Sequence, residues 1–395
     1  MLPMGESSEM ANQKLLFTPG PLNTSDGVKR AMLRDLGSRD TEFLNIVRKI
    51  RQRLLELGQV GNGDYTAVLM QGSGTFAVES VVSSVVPRDG KLLVLINGAY
   101  GHRMAKISQT IGIPTATLRF PEYRPVDSLA VRDFLSRNAA ITHVGVVHCE
   151  TTTGLLNPMA EIGAIVKELG RVYLVDAMSS FGGMPIDLAA SGIDFLVSSA
   201  NKCIQGVPGF GFVLARRNPL LAAEGRARSV SLDLVAQWKG LEADGQFRFT
   251  PPTHVLLAFW QALEDLEAEG GIACRAARYA ANQQALVAGM TALGFDVYLA
   301  PEHQSSIITS FHYPAHPHFH FHQFYQLLSE QGFVIYPGKV SDANCFRIGT
   351  IGHLYPEDIQ SLIAAIRRTL ARMRIDSAHA ALTGNASVGG KADAI

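Results

Sequence analysis

Residues 172–202 read VYLVDAMSSFGGMPIDLAASGIDFLVSSANK, and two runs within this segment decide the fold. Residues 172–175 and 195–198 are mainly apolar at successive positions, which is typical of strands buried on both faces of a parallel sheet. The first run ends at Asp176, and Lys202 follows the second. Ligands of open α/β sheets lie beyond the carboxyl ends of the strands, so we expect both side chains to face one cleft.

Similar runs on either side of this segment extend the pattern. They predict further strands at residues 65–70, 92–96, 144–148 and 211–214. Residues 76–86 and 159–169, which lie between such runs, have helical periodicity. Strands that alternate with helices in this way predict a doubly wound α/β domain with a largely parallel sheet.

The pattern changes after about residue 252. Two long helical stretches come first, and shorter strand-like segments are predicted at 295–299, 306–311, 334–336 and 345–348. A smaller α+β lobe is the natural interpretation. We therefore expect four parts: a disordered tail at 1–14, a large domain at 15–265 whose first residues can join the small lobe, a small domain at 266–375, and a disordered tail at 376–395.

Composition excludes several classes of protein. Of the 395 residues, 47% are hydrophobic and 18% charged, which suits a globular chain rather than a disordered one. Thirty-five basic and thirty-five acidic residues balance, so a broad nucleic-acid-binding surface is not expected. No apolar run approaches the roughly 18 residues of a membrane span. The four cysteines lack CxxC spacing, which favours a reducing, cytoplasmic setting.

A glycine-rich turn follows the predicted strand 65–70. Residues 71–75 read QGSGT and precede a predicted helix, so backbone amides, hydroxyl groups and the positive end of the helix dipole could bind a phosphate there. A plain strand-to-helix turn also explains the glycines. The turn has neither the lysine of a Walker motif nor the GxGxxG order of a dinucleotide fold.

Asp176 and Lys202 are each ambiguous when taken alone. A single aspartate is more often a helix cap or an ion-pair partner, and a loop lysine usually lies on the surface. Together with the turn at 71–75 they match the needs of pyridoxal phosphate. Its ring nitrogen requires a carboxylate, its aldehyde a lysine, and its phosphate a cup of donors.

Longer motifs resemble the class V aminotransferases of fold type I. The resemblance rests first on ETTTGLLNP (150–158), VDAMSSFGG (175–183), SSANKCIQGVPGFGF (198–212) and FRIGTIG (346–352). It continues, in the branch of the class that acts on 2-aminoethylphosphonate, through LLFTPGPLNTS (15–25), QGSGTFAVES (71–80), NGAYGHRM (97–104), SLDLVAQWKG (231–240), RFTPPTH (248–254) and QGFVIYPGKVS (331–341). Only the two tails lack a counterpart. The implied fold is a mainly parallel seven-stranded sheet with a smaller C-terminal α+β domain.

The resemblance also implies roles for individual residues. Lys202 would form the Schiff base with pyridoxal 5'-phosphate, and Asp176 would partner the pyridine nitrogen. The residues implied around the phosphate are Ser73, Gly74, Thr75 and, beside them, Asn201.

Further positions are implied around the ring. Tyr100 would cover one ring face and Met178 the other, although by themselves both would be assigned to the core. One of the hydroxyl groups of residues 151–153 would approach the phenolic oxygen, with Thr151 or Thr153 favoured over Thr152. Thr250 resembles the residue that reaches the phosphate in the neighbouring subunit, which implies a homodimer with shared active sites.

Arg347 matches the arginine that binds the substrate carboxylate. Its planar fork suits two-point recognition of a carboxylate or phosphonate, although a structural ion pair would use the same geometry. Arg226 and Arg228 are candidate phosphonate contacts, with a solvated loop the favoured alternative. The alternating histidines at 316–322 lack a second cluster of ligands, so no metal site is expected.

The resemblance implies an aminotransferase that moves the amino group of 2-aminoethylphosphonate to pyruvate by a ping-pong mechanism. The products would be phosphonoacetaldehyde and L-alanine. The nearest alternative is another class V aminotransferase, such as an alanine or serine aminotransferase that uses glyoxylate or pyruvate. A cysteine desulfurase is disfavoured because Cys345 lies in a strand-like run. A non-catalytic scaffold is disfavoured by the joint presence of lysine, carboxylate and phosphate cup.

Overall fold

The computed structural model describes residues 13–338, 340, 342–376 and 378. The strands are β1 (Leu15–Leu16), β2 (Tyr65–Gln71), β3 (Leu92–Ile96), β4 (Thr115–Arg119), β5 (His143–Val147), β6 (Cys149–Glu150), β7 (Leu155–Leu156), β8 (Val172–Asp176), β9 (Phe195–Ser199), β10 (Phe210–Arg216), β11 (Ile308–His312), β12 (Phe333–Val334), β13 (Tyr336–Pro337) and β14 (Cys345–Gly349). The helices are α1 (Asp26–Ala31), α2 (Thr41–Leu57), α3 (Gly74–Val85), α4 (Ala99–Thr110), α5 (Ser128–Arg137), α6 (Met159–Glu168), α7 (Arg217–Leu221), α8 (Leu234–Ala243), α9 (Thr253–Ala268), α10 (Gly271–Ala292), α11 (Phe321–Glu330) and α12 (Pro356–Arg372).

Seven strands form the main sheet in the order β2-β10-β9-β8-β5-β3-β4. Only β10 runs against its neighbours, since it pairs antiparallel with both β2 and β9. The strands β3, β5, β8 and β9 are parallel, and all but the first residue of β8 are buried. The predicted seven-stranded, mainly parallel sheet is therefore confirmed.

Two large hydrophobic clusters fill the interior. The first surrounds the main sheet and ends along the chain at Leu263. The second resumes at Leu286 and combines α10, α11 and α12 with the three-stranded sheet β11-β14-β13. Phe17 belongs to the second cluster, and β1 pairs in parallel with β12. The division at residues 265 and 266 stays a prediction, and this arrangement of the two clusters supports it.

The predicted buried strands agree with the structure to within two residues, while three other details differ. The edge strand β4 was missed because its residues are only partly buried and two of them are threonines. Residues 295–299 form no strand, since Val297 makes only an isolated bridge with Phe311. The strand predicted at 334–336 is divided between β12 and β13. Cys345 lies in β14 and is buried, in agreement with its predicted strand.

The predicted tails lie almost wholly outside the described residues, which include only residues 13, 14, 376 and 378 of them. Among the described residues, no helix is both long and apolar enough to cross a membrane. The same part of the chain contains no cluster of three His, Cys, Asp or Glu side chains that could hold a metal ion.

Candidate active site

The carboxyl ends of β8 and β9 open onto one cavity of about 170 Å³. The two strands are neighbours in register, with Asp176 opposite Val197. Lys202 lies three residues beyond the end of β9. Eight of the predicted residues line the cavity together: Ser73, Gly74, Thr75, Tyr100, Asp176, Met178, Asn201 and Lys202.

The turn between β2 and α3 forms one wall of this cavity. Gly72 has a φ of +103°, a conformation that favours glycine, and its amide donates to the carbonyl of Gly209 at 3.0 Å. Ser73 is the N-cap of α3 but makes no side-chain capping bond. The first amides of a helix have no partner within it, so this turn presents donors suited to an anion.

Asp176 is a buried carboxylate, with only 6% of its surface exposed. One of its oxygens accepts from the Met178 amide at 2.9 Å. Burial raises the pKa of Asp176 to about 6, while the Met178 amide, Arg103 and Lys202 act in the opposite direction. A positively charged ring nitrogen would therefore meet a carboxylate that has little other compensation.

Lys202 is buried as well, and its Nζ donates to the carbonyl of Pro19 at 2.8 Å. Burial lowers the pKa of Lys202 to about 8, Arg347 lowers it further, and Asp176 opposes the shift. Gly20 makes this close approach possible, because a Cβ there would lie 2.9 Å from Lys202 Nζ. The lysine therefore loses its proton more readily than an exposed one to give the neutral amine that Schiff-base chemistry requires.

Tyr100 and Met178, which the resemblance implies on the two faces of a flat ring, both line the cavity, and their roles there stay predictions. Tyr100 is carried by α4, and Met178 follows β8 by two residues. Arg103, which was not predicted, lines the same cavity. Its guanidinium lies 4.8 Å from the centre of the Tyr100 ring, and its Nη1 donates to Thr75 Oγ1 at 3.4 Å. A spacing of three residues on a helix places Arg103 beside Tyr100, and this signal was present in the sequence.

The threonines at 151–153 differ in their partners. Thr151 Oγ1 lies 3.2 Å from the hydroxyl of Ser179, which lines the cavity. Thr152 donates its hydroxyl to Glu150, and Thr153 accepts from the Leu155 amide within its own turn. None of the three lines the cavity itself. This geometry favours Thr151 over Thr153, and the cofactor-binding role of either remains a prediction.

Arg347 lies on β14 with 1% of its surface exposed. Its Nε donates to the Pro337 carbonyl at 2.9 Å and its Nη1 to the Thr151 carbonyl at 2.7 Å. Its Nη2 is buried and has no hydrogen-bond partner among the described residues. Two backbone carbonyls therefore fix the guanidinium and leave one nitrogen free, an arrangement that suits an anionic ligand better than a structural ion pair.

Other predicted residues lie away from the cavity. Thr250 is exposed, and its carbonyl is 3.5 Å from Gln71 Nε2 in the turn that begins the cup. Arg226 Nη1 donates to the Val85 carbonyl, and Arg228 Nη1 donates to the Ser83 and Val86 carbonyls. Both arginines therefore cap the end of α3 that is remote from the cup, and neither is placed to contact a phosphonate in the cavity.

The residues present fit pyridoxal phosphate. The start of α3 supplies donors for a phosphate, while Asp176 and Lys202 supply the carboxylate and the amine. Arg347 does not line the cavity, and the substrate-binding role predicted for its Nη2, which has no partner among the described residues, stays a prediction. A Cβ at Gly74 would lie 2.2 Å from Met178 Sδ, so glycine is what allows Met178 to pack closely at this wall.

The fold and the site together define an aminotransferase of fold type I that uses pyridoxal phosphate. The family described as Aminotransferase class-V matches residues 25–351, and the chain belongs to this family. It is 57% identical to 2-aminoethylphosphonate–pyruvate transaminase of Syntrophobacter fumaroxidans over 93% of this chain and 100% of the relative. It is 53% identical to the enzyme of the same name from Vibrio cholerae, over 91% of this chain and 99% of the relative.

Solved structures agree with the fold. Pyridoxamine–pyruvate aminotransferase from Mesorhizobium loti superposes with a TM-score of 0.84 at 26% identity, covering 93% of this chain and 94% of that one. Alanine–glyoxylate aminotransferase from Nostoc sp. superposes with a TM-score of 0.85 at 24% identity, covering 93% and 98%. The main sheet and the C-terminal region are thus those of this fold type.

Proposed function

We propose that this chain transfers the amino group of 2-aminoethylphosphonate to pyruvate, giving phosphonoacetaldehyde and L-alanine. The sequence identity to transaminases of that specificity, over nearly their whole length, supports this donor over those of the other class V aminotransferases. The structural observation that carries the proposal is the buried Nη2 of Arg347, which has no partner among the described residues. Arg347 does not line the cavity that contains Lys202 and Asp176, but its Nη1 donates to the carbonyl of Thr151, whose hydroxyl lies 3.2 Å from that of the lining residue Ser179.

Bound pyridoxal phosphate supplies a ring that accepts electrons when a proton leaves the carbon next to the amino group. Asp176 keeps positive charge on the ring nitrogen and so favours this transfer of electrons. Lys202 Nζ would hold the aldehyde of the cofactor before the substrate binds, and as a free amine afterwards it would take the proton from substrate C1. A pKa of about 8 allows the same nitrogen to accept the proton and return it near neutral pH.

The remaining groups bind and orient. Nη2 of Arg347 binds the carboxylate of pyruvate and takes the phosphonate in the other half-reaction. Tyr100 and Met178 hold the ring between them and exclude water. Because both half-reactions use this one cavity in turn, the kinetics are ping-pong.

We also infer a homodimer in which Thr250 completes the phosphate site of the partner subunit. Thr250 follows Phe249, which is 47% exposed, and Phe76 next to Thr75 is 52% exposed. The Phe249 carbonyl accepts from Gln71 Nε2 at 3.0 Å, and the Phe76 ring packs against Gly72, so both exposed rings lie at the turn that begins the cup and form one apolar surface. A second copy that covers this apolar surface would bring its Thr250 to the cup. Four free cysteines support a reducing, cytoplasmic setting.

A donor comparison tests the specificity. Alanine formed from pyruvate is measured with 2-aminoethylphosphonate, β-alanine, serine or glycine as donor. We expect 2-aminoethylphosphonate to have the highest kcat/KM, with β-alanine as the matched control that replaces the phosphonate by a carboxylate. A higher value for serine or glycine would favour another class V aminotransferase.

A second experiment tests the cofactor site. Wild-type protein should show the visible absorption of lysine-bound pyridoxal phosphate, and Lys202→Ala should abolish it. A wild-type protein that cannot bind added pyridoxal phosphate would contradict the proposed function.

A further inference from the structure

Glu150 is a fully buried carboxylate that the mechanism above does not use. It lies at the end of β6, in the loop that carries Thr151, and its oxygens accept from the first turn of α4. The Tyr100 amide donates at 3.2 Å and the Gly101 amide at 3.3 Å to Oε2. Thr152 donates its hydroxyl to Oε1 at 2.6 Å and accepts from the Ala99 amide at 3.0 Å.

This carboxylate takes the place of a local helix cap. The N-cap residue of α4 is Gly98, which has no side chain to offer. A Cβ at Gly98 would lie 2.2 Å from Glu150 Cγ and 2.3 Å from its Cδ, so the missing side chain makes room for the glutamate. A negative charge at this position also interacts favourably with the helix dipole.

The same loop also contacts Arg347, which is proposed to bind the substrate. The carbonyl of Thr151, the next residue, accepts from Arg347 Nη1 at 2.7 Å. The helix that Glu150 caps carries Tyr100 and Arg103 into the cavity. One short loop therefore contacts both the helix that lies against the proposed cofactor and the arginine proposed to bind the substrate.

We propose that Glu150 is a positioning residue that fixes Tyr100 and Arg103 for the cofactor and aligns them with Arg347. The inference rests on the proposed function, since it concerns the same cavity. Burial raises the pKa of Glu150 to about 6, against the opposing effect of its hydrogen bonds, so at a higher pH the group is an acceptor only.

Glu150→Gln tests this role because it keeps the size of the side chain but replaces one acceptor oxygen with a donor that faces backbone amides. We expect the dissociation constant of pyridoxal phosphate to rise about tenfold and its visible circular dichroism to weaken. The kcat should fall by at least as much, because misplacement by about 1 Å can cost about a hundredfold in rate. The KM for pyruvate should change less, since the two carbonyls that hold Arg347 remain.

Asp194→Asn is the matched control. Asp194 is also a buried carboxylate that accepts from a backbone amide, that of Tyr173 at 2.9 Å, but it precedes β9 at the end of the sheet opposite the cavity. We expect this variant to lose thermal stability without altering cofactor affinity, circular dichroism or kcat.

The proposal is overturned if Glu150→Gln lowers the melting temperature as Asp194→Asn does and leaves cofactor affinity, circular dichroism and kcat unchanged. If Glu150→Gln does not fold, Thr152→Val and Thr152→Ser decide the matter. Loss of cofactor circular dichroism and kcat in the valine variant, with rescue by serine, supports the role, whereas equal behaviour of the two contradicts it. Failure of wild-type protein to bind the cofactor would count against the proposed function instead.

Discussion

Lys202 and Asp176 are ionisable groups that the fold buries at the carboxyl ends of the neighbouring strands β8 and β9. Burial lowers the pKa of Lys202 to about 8 and raises that of Asp176 to about 6, so it disfavours the charged form of each. A bound cofactor would relieve both costs, because its cationic ring nitrogen would pair with Asp176 and its aldehyde would react with the neutral amine of Lys202. In the cofactor-free protein, these two residues should therefore lower the free energy of unfolding by an amount that can be measured.

The pH dependence of stability reports the cost at Lys202. An unfolded lysine titrates near 10.5 and the folded one near 8. Between these values the unfolded chain binds the proton and the folded chain does not, so stability rises with pH, by about 3 kcal/mol over the window. In cofactor-free protein, Lys202→Met should therefore be the more stable form below about pH 8 and lose that advantage as the pH rises.

Urea unfolding of the two cofactor-free proteins at several pH values measures this difference directly. Other titrating groups act on both proteins alike and largely cancel in the comparison. A difference in free energy of unfolding that stays constant across the window would show that Lys202 titrates normally in the folded protein.

Arg347→Lys probes the substrate anion. Lysine retains the charge but cannot bind the Pro337 and Thr151 carbonyls in a planar fork while presenting a further donor. We expect kcat/KM for pyruvate to fall by about 10- to 100-fold, the usual value of a hydrogen bond to a charged group. Steady-state kinetics measure it, and an unchanged cofactor absorption band is the control. Unaltered kinetics would remove Arg347 from substrate binding.

Among the elements of the fold, α3 and α4 both begin at the cavity. Each starts near a glycine, and a side chain at that glycine would collide with a neighbouring residue. A Cβ at Gly74 would lie 2.2 Å from Met178 Sδ and 3.2 Å from Ser199 Cβ. A Cβ at Gly98 would collide with Glu150 instead. The helix starts are therefore specified by what packs against them as well as by their own conformations.

Gly74→Ala should weaken cofactor binding by about tenfold while the fold is retained. The new methyl group would displace the flexible side chain of Met178, and that side chain can move only into the cavity where the cofactor is proposed to bind. Fluorescence titration with pyridoxal phosphate measures the affinity. Gly63→Ala is the matched control, since a Cβ there meets no atom within 4 Å. Equal affinities in the two variants would show that the packing of Met178 against α3 does not shape the site.

The elements differ in how well their sequences predict them. Buried strands such as β3 and β5 are continuous apolar runs, and the pattern located both to within a residue. The edge strand β4 has one neighbour and a partly exposed surface, so its sequence resembles a loop. Residues 295–299 are apolar enough for a strand, but their packing in the C-terminal cluster leaves only one bridge to β11. Hydrophobicity predicts burial, and pairing depends on neighbours that a local pattern does not contain.

At the scale of the whole molecule, the exposed position of Thr250 makes the assembly testable. Lys202→Ala and Thr250→Asp should each inactivate a homodimer, the second by placing a carboxylate against the phosphate of the cofactor. If Thr250 acts in the partner's site, a mixed dimer of the two variants contains one site with both native residues. Activity should then appear on mixing, up to about one quarter of the wild-type value when subunits exchange randomly.

Activity of the mixture after dissociation and reassociation measures this complementation. Each variant carried alone through the same treatment is the control. An inactive mixture that sedimentation shows to contain mixed dimers would mean that Thr250 acts within its own subunit or has no role.

The buried strands, the residues at their carboxyl ends and the glycine-rich start of α3 can be predicted from the amino-acid sequence, because they depend on local hydrophobicity and turn chemistry. Resemblance then implied the roles of Lys202, Asp176 and Arg347. The folded chain was needed to show that Lys202 donates to a carbonyl 183 positions away and Arg347 to one 196 positions away. Every residue has a backbone carbonyl, so the identity of a side chain does not indicate which carbonyl will accept the hydrogen bond. The capping of α4 by Glu150 could not be predicted for the same reason. Its partners are backbone amides, and these are available only where the folded chain leaves a helix start uncapped.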